Sequence, residues 1–575
     1  MKTSFRKSIA YYLLISASLA TPVLAGDVGV NVESSGPYKL DQQSFADIYR
    51  FKDSFDGTRY QRQALTREIA NCSIEDCYEL FTTPIMNFKQ GFIEEFGEEK
   101  GNSYFLTVLS GMIASQSQEL SSRALEAGKF GLSFEEKIYI SQNLGDVMAS
   151  NYDYARADEG TGAEGVVTKN ELYSAIRENI EAGVCRDIAT AQASALNDLG
   201  VSNVYVIGFS TIDGGHATVI AQDKENPSQV VHINYGDVSL QSSLTSGIFN
   251  QNTYAPDAGS AIQIYDAFGK TIDKVPSEVG YILLKTAGLN PEDYGAGVSR
   301  RGVHLVSVDY VSGNVKVTMS GASTASGNQV ASLGGTYTVQ DSENATVKIG
   351  GALNLHKRET NEYSLQNTGF LLGLETSLRT NKYDFGPLKK NFLELGIVTN
   401  VYAGKAENSS IDNTESGSVI DAITRISVSY QTQVDITDSV QFTTRASADM
   451  AFMQGDVRDE QSRSLQYTGV TLSNNLLIDI SENYEVEFEN RIYIRKGSTT
   501  AENTFYIKSK DGKNVVEVGY DLPLSENAHP WMVGANKEVK IGYQRSVGNF
   551  DLKIKYTNLI ELNEGFYNLE VKGKF

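Results

Sequence analysis

Positive charge is in short supply in this chain: 50 Lys and Arg against 71 Asp and Glu in 575 residues, a net charge of −21. A nucleic-acid partner needs a basic footprint, so that class is excluded; the acidity suits an exported protein that must stay soluble. Long apolar runs are also missing. Past residue 25 no segment approaches the roughly 18 consecutive apolar residues of a membrane-spanning helix. Metal-ligand spacing is absent too: Asp158, Glu159 and Glu164 lie in an acidic, Gly-rich loop that fits no standard calcium loop. No cofactor is implied.

Cysteine is the scarcest of the reactive residues, three in all. Cys72 and Cys77 sit in Asn71-Cys72-Ser73-Ile74-Glu75-Asp76-Cys77. They are natural disulfide partners if the chain turns there, because a straight helix would point them apart. Cys185 is then left alone in an oxidising compartment, either as a small buried hydrophobe or as a thiol that is used.

The chain is too long for one domain. Lys2, Arg6 and Lys7, an apolar run from Ile9 to Leu19, and Val23-Leu24-Ala25 read as a secretory signal peptide over 1–25. Helical spacing follows. Leu106, Leu109, Met112 and Ile113 mark one buried face, and Ser133 with Glu136 forms a capping box opening another helix. A second box, Thr168 with Glu171, opens a helix with Leu172, Ile176 and Ile180, ended by Gly183. The next helix runs from about Cys185 to Leu199 with Gly200 as its stop. Strands are expected over 201–209, 217–222 and 230–234, then a long loop over 239–261, and two further elements at 262–265 and 279–284. Pro291, Gly295 and Gly297 place a boundary over 289–302.

Beyond about His304 strict alternation takes over. In 484–494, Tyr484, Val486, Phe488, Ile492 and Ile494 alternate with Glu485, Glu487, Glu489, Arg491 and Tyr493. Similar runs occur at 539–544, 552–556 and 567–575. Apolar-out, polar-in strands of about ten residues are what a membrane barrel requires; a soluble β-sandwich would share the alternation but not hold so many inward charges. The terminal Phe575 on an aromatic-apolar stripe resembles the C-terminal signature of bacterial outer-membrane barrels. Counting from about Ala345 gives about twelve strands, with Val303–Tyr310 and Lys316–Gly321 as two further candidates. The expected organisation is a signal peptide (1–25), an α+β cysteine domain (26–295), a linker or first strands (296–340) and an all-antiparallel outer-membrane β-barrel (341–575). An even strand number with short periplasmic turns would put both barrel ends in the periplasm, and the cysteine domain with them unless it is exported through or beside the barrel.

The chemistry-bearing residues lie in the first domain. Cys185 opens a helix, where unpaired backbone N–H groups favour the thiolate. Arg186 adds charge beside it or points to solvent. His216 follows Gly214-Gly215, and Asn234 ends the strand after the Asn226-Pro227 turn. A thiol, an imidazole and an amide in this order can act as nucleophile, base and orienting group. His232 is a second candidate base and Asp237 a rival third member. The pattern Gly183-Val184-Cys185-Arg186-Asp187-Ile188-Ala189, then Leu196-Asn197-Asp198-Leu199-Gly200-Val201, then Gly215-His216-Ala217 and a strand ending in Asn234, resembles the transglutaminase-like branch of the papain-like cysteine superfamily over about 165–240. That resemblance implies acyl transfer at an amide: peptide hydrolysis, amidase action or crosslinking of a protein, peptide or cell-wall peptide, with outer-membrane lipid as the other partner. Two positions depart from the branch: Asn234 stands where Asp is usual, and Val230 where Trp often opens the last strand. The rival reading is a catalytically inactive binding domain on an outer-membrane pore or anchor.

Overall fold

The computed structural model describes residues 55–574 apart from 76, 151–184, 212–213, 242–243, 250–260, 277, 290–302, 325–327, 360–362, 411–413, 455–464, 496–497, 526–536 and 561–563. The signal peptide, the acidic 158–165 loop, the Thr168–Glu171 capping box, the 289–302 boundary (all but Leu289) and Phe575 lie outside these residues.

Six helices come first: α1 Arg59–Ala70, α2 Tyr78–Thr82, α3 Ile85–Phe96, α4 Glu98–Ile113, α5 Gln118–Gly131 and α6 Phe134–Ala149. The Leu106, Leu109, Met112 and Ile113 face of α4 is buried. The capping box of α6 forms as read, with Glu136 N–H donating to Ser133 Oγ and Ser133 N–H to the Glu136 carboxylate. Between α1 and α2 the chain breaks, and Cys72 and Cys77 close a disulfide with a Cα separation of 6.0 Å.

α7 Cys185–Asp198 then packs on a six-stranded antiparallel sheet of order β4-β3-β2-β1-β5-β6. Its strands are β1 Asn203–Thr211, β2 Gly214–Gln222, β3 Val230–Asn234, β4 Asp237–Gln241, β5 Ala261–Tyr265 and β6 Thr271–Pro276. Gly200 stops the helix at φ 87°, where Val201 N–H reaches back to Leu196 O; a glycine adopts that left-handed turn without Cβ strain. The alanines of α7 let it approach the sheet closely. Ala189, Ala193 and Leu196 interlock with Val204, Val206, Ala217, Val219, Val231 and Ile233. The expected long loop over 239–261 begins instead with the end of β4 and α8 Leu244–Phe249. Leu244 and Ile248 of α8 close the sheet's other face, packing with Ile207, Phe209 and Ile220.

The second half is a closed barrel. Its wall strands are β7 Val303–Ser312, β8 Val315–Thr324, β9 Asn328–Asp341, β10 Ala345–Glu359, β11 Tyr363–Arg379, β13 Leu388–Ser410, β14 Thr414–Thr437, β15 Val440–Gln454, β16 Leu465–Asp479, β17 Tyr484–Arg495, β18 Ser498–Ser509, β19 Asn514–Pro523, β20 Glu538–Val547, β21 Phe550–Leu559 and β22 Glu564–Lys574. The three-residue β12 Tyr383–Phe385 sits in the β11–β13 connection, and β11 pairs directly with β13 to close the ring. Twelve strands follow Ala345 as expected, but β7, β8 and β9 join the wall, which makes fifteen. The all-antiparallel expectation also fails at one seam: β22 runs parallel to β7, from Asn568↔Leu305 to Lys574↔Val311. An odd ring cannot alternate direction all the way round, so one parallel pair is forced.

Alternation sorts the wall as expected. Val306, Val308, Met319, Leu353, Phe505, Ile541, Ile554 and Tyr567 are exposed on the outer face, while Glu502, Glu517, Asp521 and Lys540 are buried inside. One inner patch breaks the polar-lumen rule. The element expected at 279–284 is a helix, α9 Glu278–Thr286, lying inside the barrel. An unbroken apolar run does not tell strand from helix by periodicity; the interior of the barrel decides it. Ile282, Leu283 and Leu284 bury against Leu305, Val330, Ala352, Leu371 and Tyr402, each worth about 1.5–3 kcal/mol of apolar transfer. Thr286 Oγ1 stands 2.7 Å from Ser332 Oγ. Gly288, at φ 71°, ends the helix where a Cβ would strike the Thr336 side chain.

Candidate active site

Cys185, His216 and Asn234 all come to the end of the α/β layer where α7 begins. β1 runs back along α7. At about 1.5 Å per helical residue and about 3.3 Å per strand residue, the start of α7 is level with the region of Phe209. Phe209 is paired with His216 across the β1–β2 ladder. Asn234 ends β3 one step beyond the Val219↔Ile233 pair.

The structure joins two of the three directly. His216 Nε2 lies 2.9 Å from Asn234 Oδ1, both residues buried. The amide oxygen only accepts, so Nε2–H donates and Nδ1 carries the lone pair. That is the division of labour an orienting amide imposes on a general base. Cys185 is buried in the cluster that also holds Ala217, the chain neighbour of His216, with Tyr235 packed against it. Alternation alone turns the His216 ring toward Phe209, 5.6 Å away by centroids. The same ring meets Tyr235 edge-on at 5.7 Å. His216 thus touches residues of both clusters: Phe209, which belongs to the one under α8, and Tyr235, which packs against the one that contains Cys185.

Two residues that carry no role in the sequence reading hold this corner. Gln192, buried in the middle of α7, donates from Nε2 to Tyr235 O at 2.7 Å and to Ser141 O at 2.9 Å, tying α7 to α6 and to the end of β3. A lone amide on an alanine-rich stripe was the available signal. Tyr235 itself turns the chain at φ 52°. The rivals fall away: Asp237 is exposed at the start of β4, and Arg186 lies 4.0 Å from the carboxylate of its neighbour Asp187, so its charge is shared.

Burial sets the titration here. It lowers the pKa of His216, against the opposing pull of its bond to Asn234, so the ring is neutral and basic near pH 7. Burial, with His216 nearby, pushes His232 down to about 4. His232 shares the His216 face but is a poor base at that value, which leaves His216. The linkage has a definite sign. A histidine whose folded pKa lies below its unfolded value of about 6.5 stabilises the fold above that pH, and the contribution is lost as pH falls toward the folded value. For His232 the shift corresponds to about 3 kcal/mol. The helical signal of the detergent-folded protein should therefore melt at markedly lower temperature at pH 4.5 than at pH 7.5. His232→Gln should remove most of that difference, and an unchanged difference would contradict the assignment.

Residues 138–226 match the family model described as a transglutaminase-like domain. No curated protein matches the chain. Among solved structures, the translocator domain of autotransporter NalP from Neisseria meningitidis aligns at 11% identity and TM-score 0.21, covering 44% of this chain and 79% of that one. The beta domain of the Bordetella autotransporter BrkA aligns at 10% identity and TM-score 0.19, covering 47% and 93%. The ferric-catecholate import receptor Fiu from E. coli K12 aligns at 7% identity and TM-score 0.24, covering 64% and 73%. The chain thus joins a segment matching the transglutaminase-like family to a closed fifteen-stranded β-barrel.

Proposed function

We propose that this chain is an outer-membrane protein carrying a thiol enzyme that acts on amide bonds of proteins or peptides. The single observation that carries the enzymatic reading is the buried His216–Asn234 hydrogen bond, formed at the end of the layer where α7 presents Cys185. The closed wall with its apolar exterior supports the membrane reading.

In this reading each residue has one role. Cys185 Sγ attacks the amide carbonyl as its proton passes to His216 Nδ1. His216 returns that proton to the leaving amine as the C–N bond breaks. Water hydrolyses the resulting thioester, or an amine takes the acyl group, and either step regenerates the thiol. The backbone N–H of Cys185, at a helix N-terminus, donates to the developing oxyanion. Asn234 holds the ring tautomer.

A thiol-reactive probe built on a peptide amide tests this on the purified protein. Labelling should vanish in Cys185→Ala and persist in Cys72→Ala. Equal labelling of His216→Ala and the parent would sink the nucleophile assignment.

A further inference from the structure

We infer that the α/β domain stands on the extracellular side of the outer membrane, so that its substrates are proteins or peptides outside the cell rather than cell-wall peptides. The inference rests on the membrane reading above. The expectation of a periplasmic domain rested on an even strand number, and the ring has fifteen. With β7 and β22 parallel, both strands start at one rim and finish at the other. The two ends of the barrel strand order therefore face opposite sides of the membrane.

Two observations say which rim is which. First, the α/β domain sits at the rim where β7 starts. Tyr493, near the end of β17 at that rim, packs against the cluster of Ile207, Phe209 and Ile264. Glu278, at the head of α9, accepts from Asn328, the first residue of β9, at 3.3 Å. α9 runs inward from there, to Gly288 against Thr336.

Second, the connections at the two rims differ in length. The far rim has 313–314, 342–344, 438–439, 480–483, 510–513 and 548–549, plus 380–387, which folds on itself through β12. The near rim has five short connections as well, 325–327, 360–362, 411–413, 496–497 and 560–563, but it also carries the two longest of all, 455–464 and 524–537. In outer-membrane barrels the short turns are periplasmic and the longer loops extracellular.

Together they place the short-turn rim in the periplasm and the domain outside. The test uses two single-cysteine reporters in Cys185→Ala full-length protein with the Cys72–Cys77 disulfide intact: Lys224→Cys in the exposed β2–β3 connection, and Asn314→Cys in the β7–β8 turn. Cells are treated with a maleimide carried on a polyethylene glycol too large to pass the outer membrane. The Lys224→Cys reporter should label in intact cells. The Asn314→Cys reporter should label only after the outer membrane is permeabilised. The reverse pattern, or equal labelling of both in intact cells, overturns the inference. Membrane fractionation of the same cells separates the two levels of the argument: absence from the outer-membrane fraction defeats the membrane reading itself, whereas presence there with reversed labelling defeats only the orientation.

Discussion

His216→Ala should lower the rate of amide cleavage or acyl transfer by about 10²–10⁴-fold, the usual contribution of a positioned general base, with the fold unchanged. Asn234→Ala should cost less, because the imidazole remains and only its tautomer and aim are freed. The more informative substitution is Asn234→Asp. A carboxylate at 2.9 Å from Nε2 favours the protonated ring, so the acid limb of the pH–rate profile should move upward. In the parent that limb should lie below the ordinary histidine value, because burial depresses the His216 pKa. Rates on a peptide amide substrate across pH 4 to 8 for the four proteins check all of this. An Asn234→Asp profile that coincides with the parent would remove Asn234 from the site.

Lys540→Met should destabilise the barrel by about 3–5 kcal/mol, the cost of stripping a buried charge of its partner. Lys540 is 2% exposed; its ammonium is 2.7 Å from Glu502 Oε1 and also ion-pairs with Asp521. The strand register makes the position critical. Glu502 is directly opposite Asp521, and Asp521 directly opposite Glu538, so three acids stand in a row across β18, β19 and β20. Like charges facing each other repel, and Lys540 is the cation set among them. Urea unfolding of the detergent-folded barrel should show the loss. Adding Glu502→Gln and Asp521→Asn to Lys540→Met should recover much of it, since the stranded charge then disappears. No recovery would mean the lysine acts through packing alone.

Local chemistry carried much of the architecture. The Ser133–Glu136 box, the Gly200 stop and the five residues of β3 are set by neighbours within a few positions, and they appear where the residues imply. The alternation of β17 and β20–β22 is equally local, and it sorts lipid-facing from luminal side chains. The triad order was readable because Cys185, His216 and Asn234 each occupy the end or edge of a short element with a recognisable stop.

What lies between elements was not readable. β9 carries the pair Gly334 and Gly335, weak strand formers that join the wall only because β8 and β10 pair on either side. Missing it hid the odd strand count, and with it the opposite ends of the barrel. The Val279–Leu284 run could not declare itself a helix in a lumen, because the apolar surface it covers comes from β7, β9, β10, β11 and β13, far along the chain. The sequence by itself determined the two-part plan and the disulfide, and nominated the residues of the candidate site, since each rests on period, spacing or a cap. Only the tertiary structure decided the parity of the ring and the plugging of its interior, because those depend on pairings between strands hundreds of residues apart.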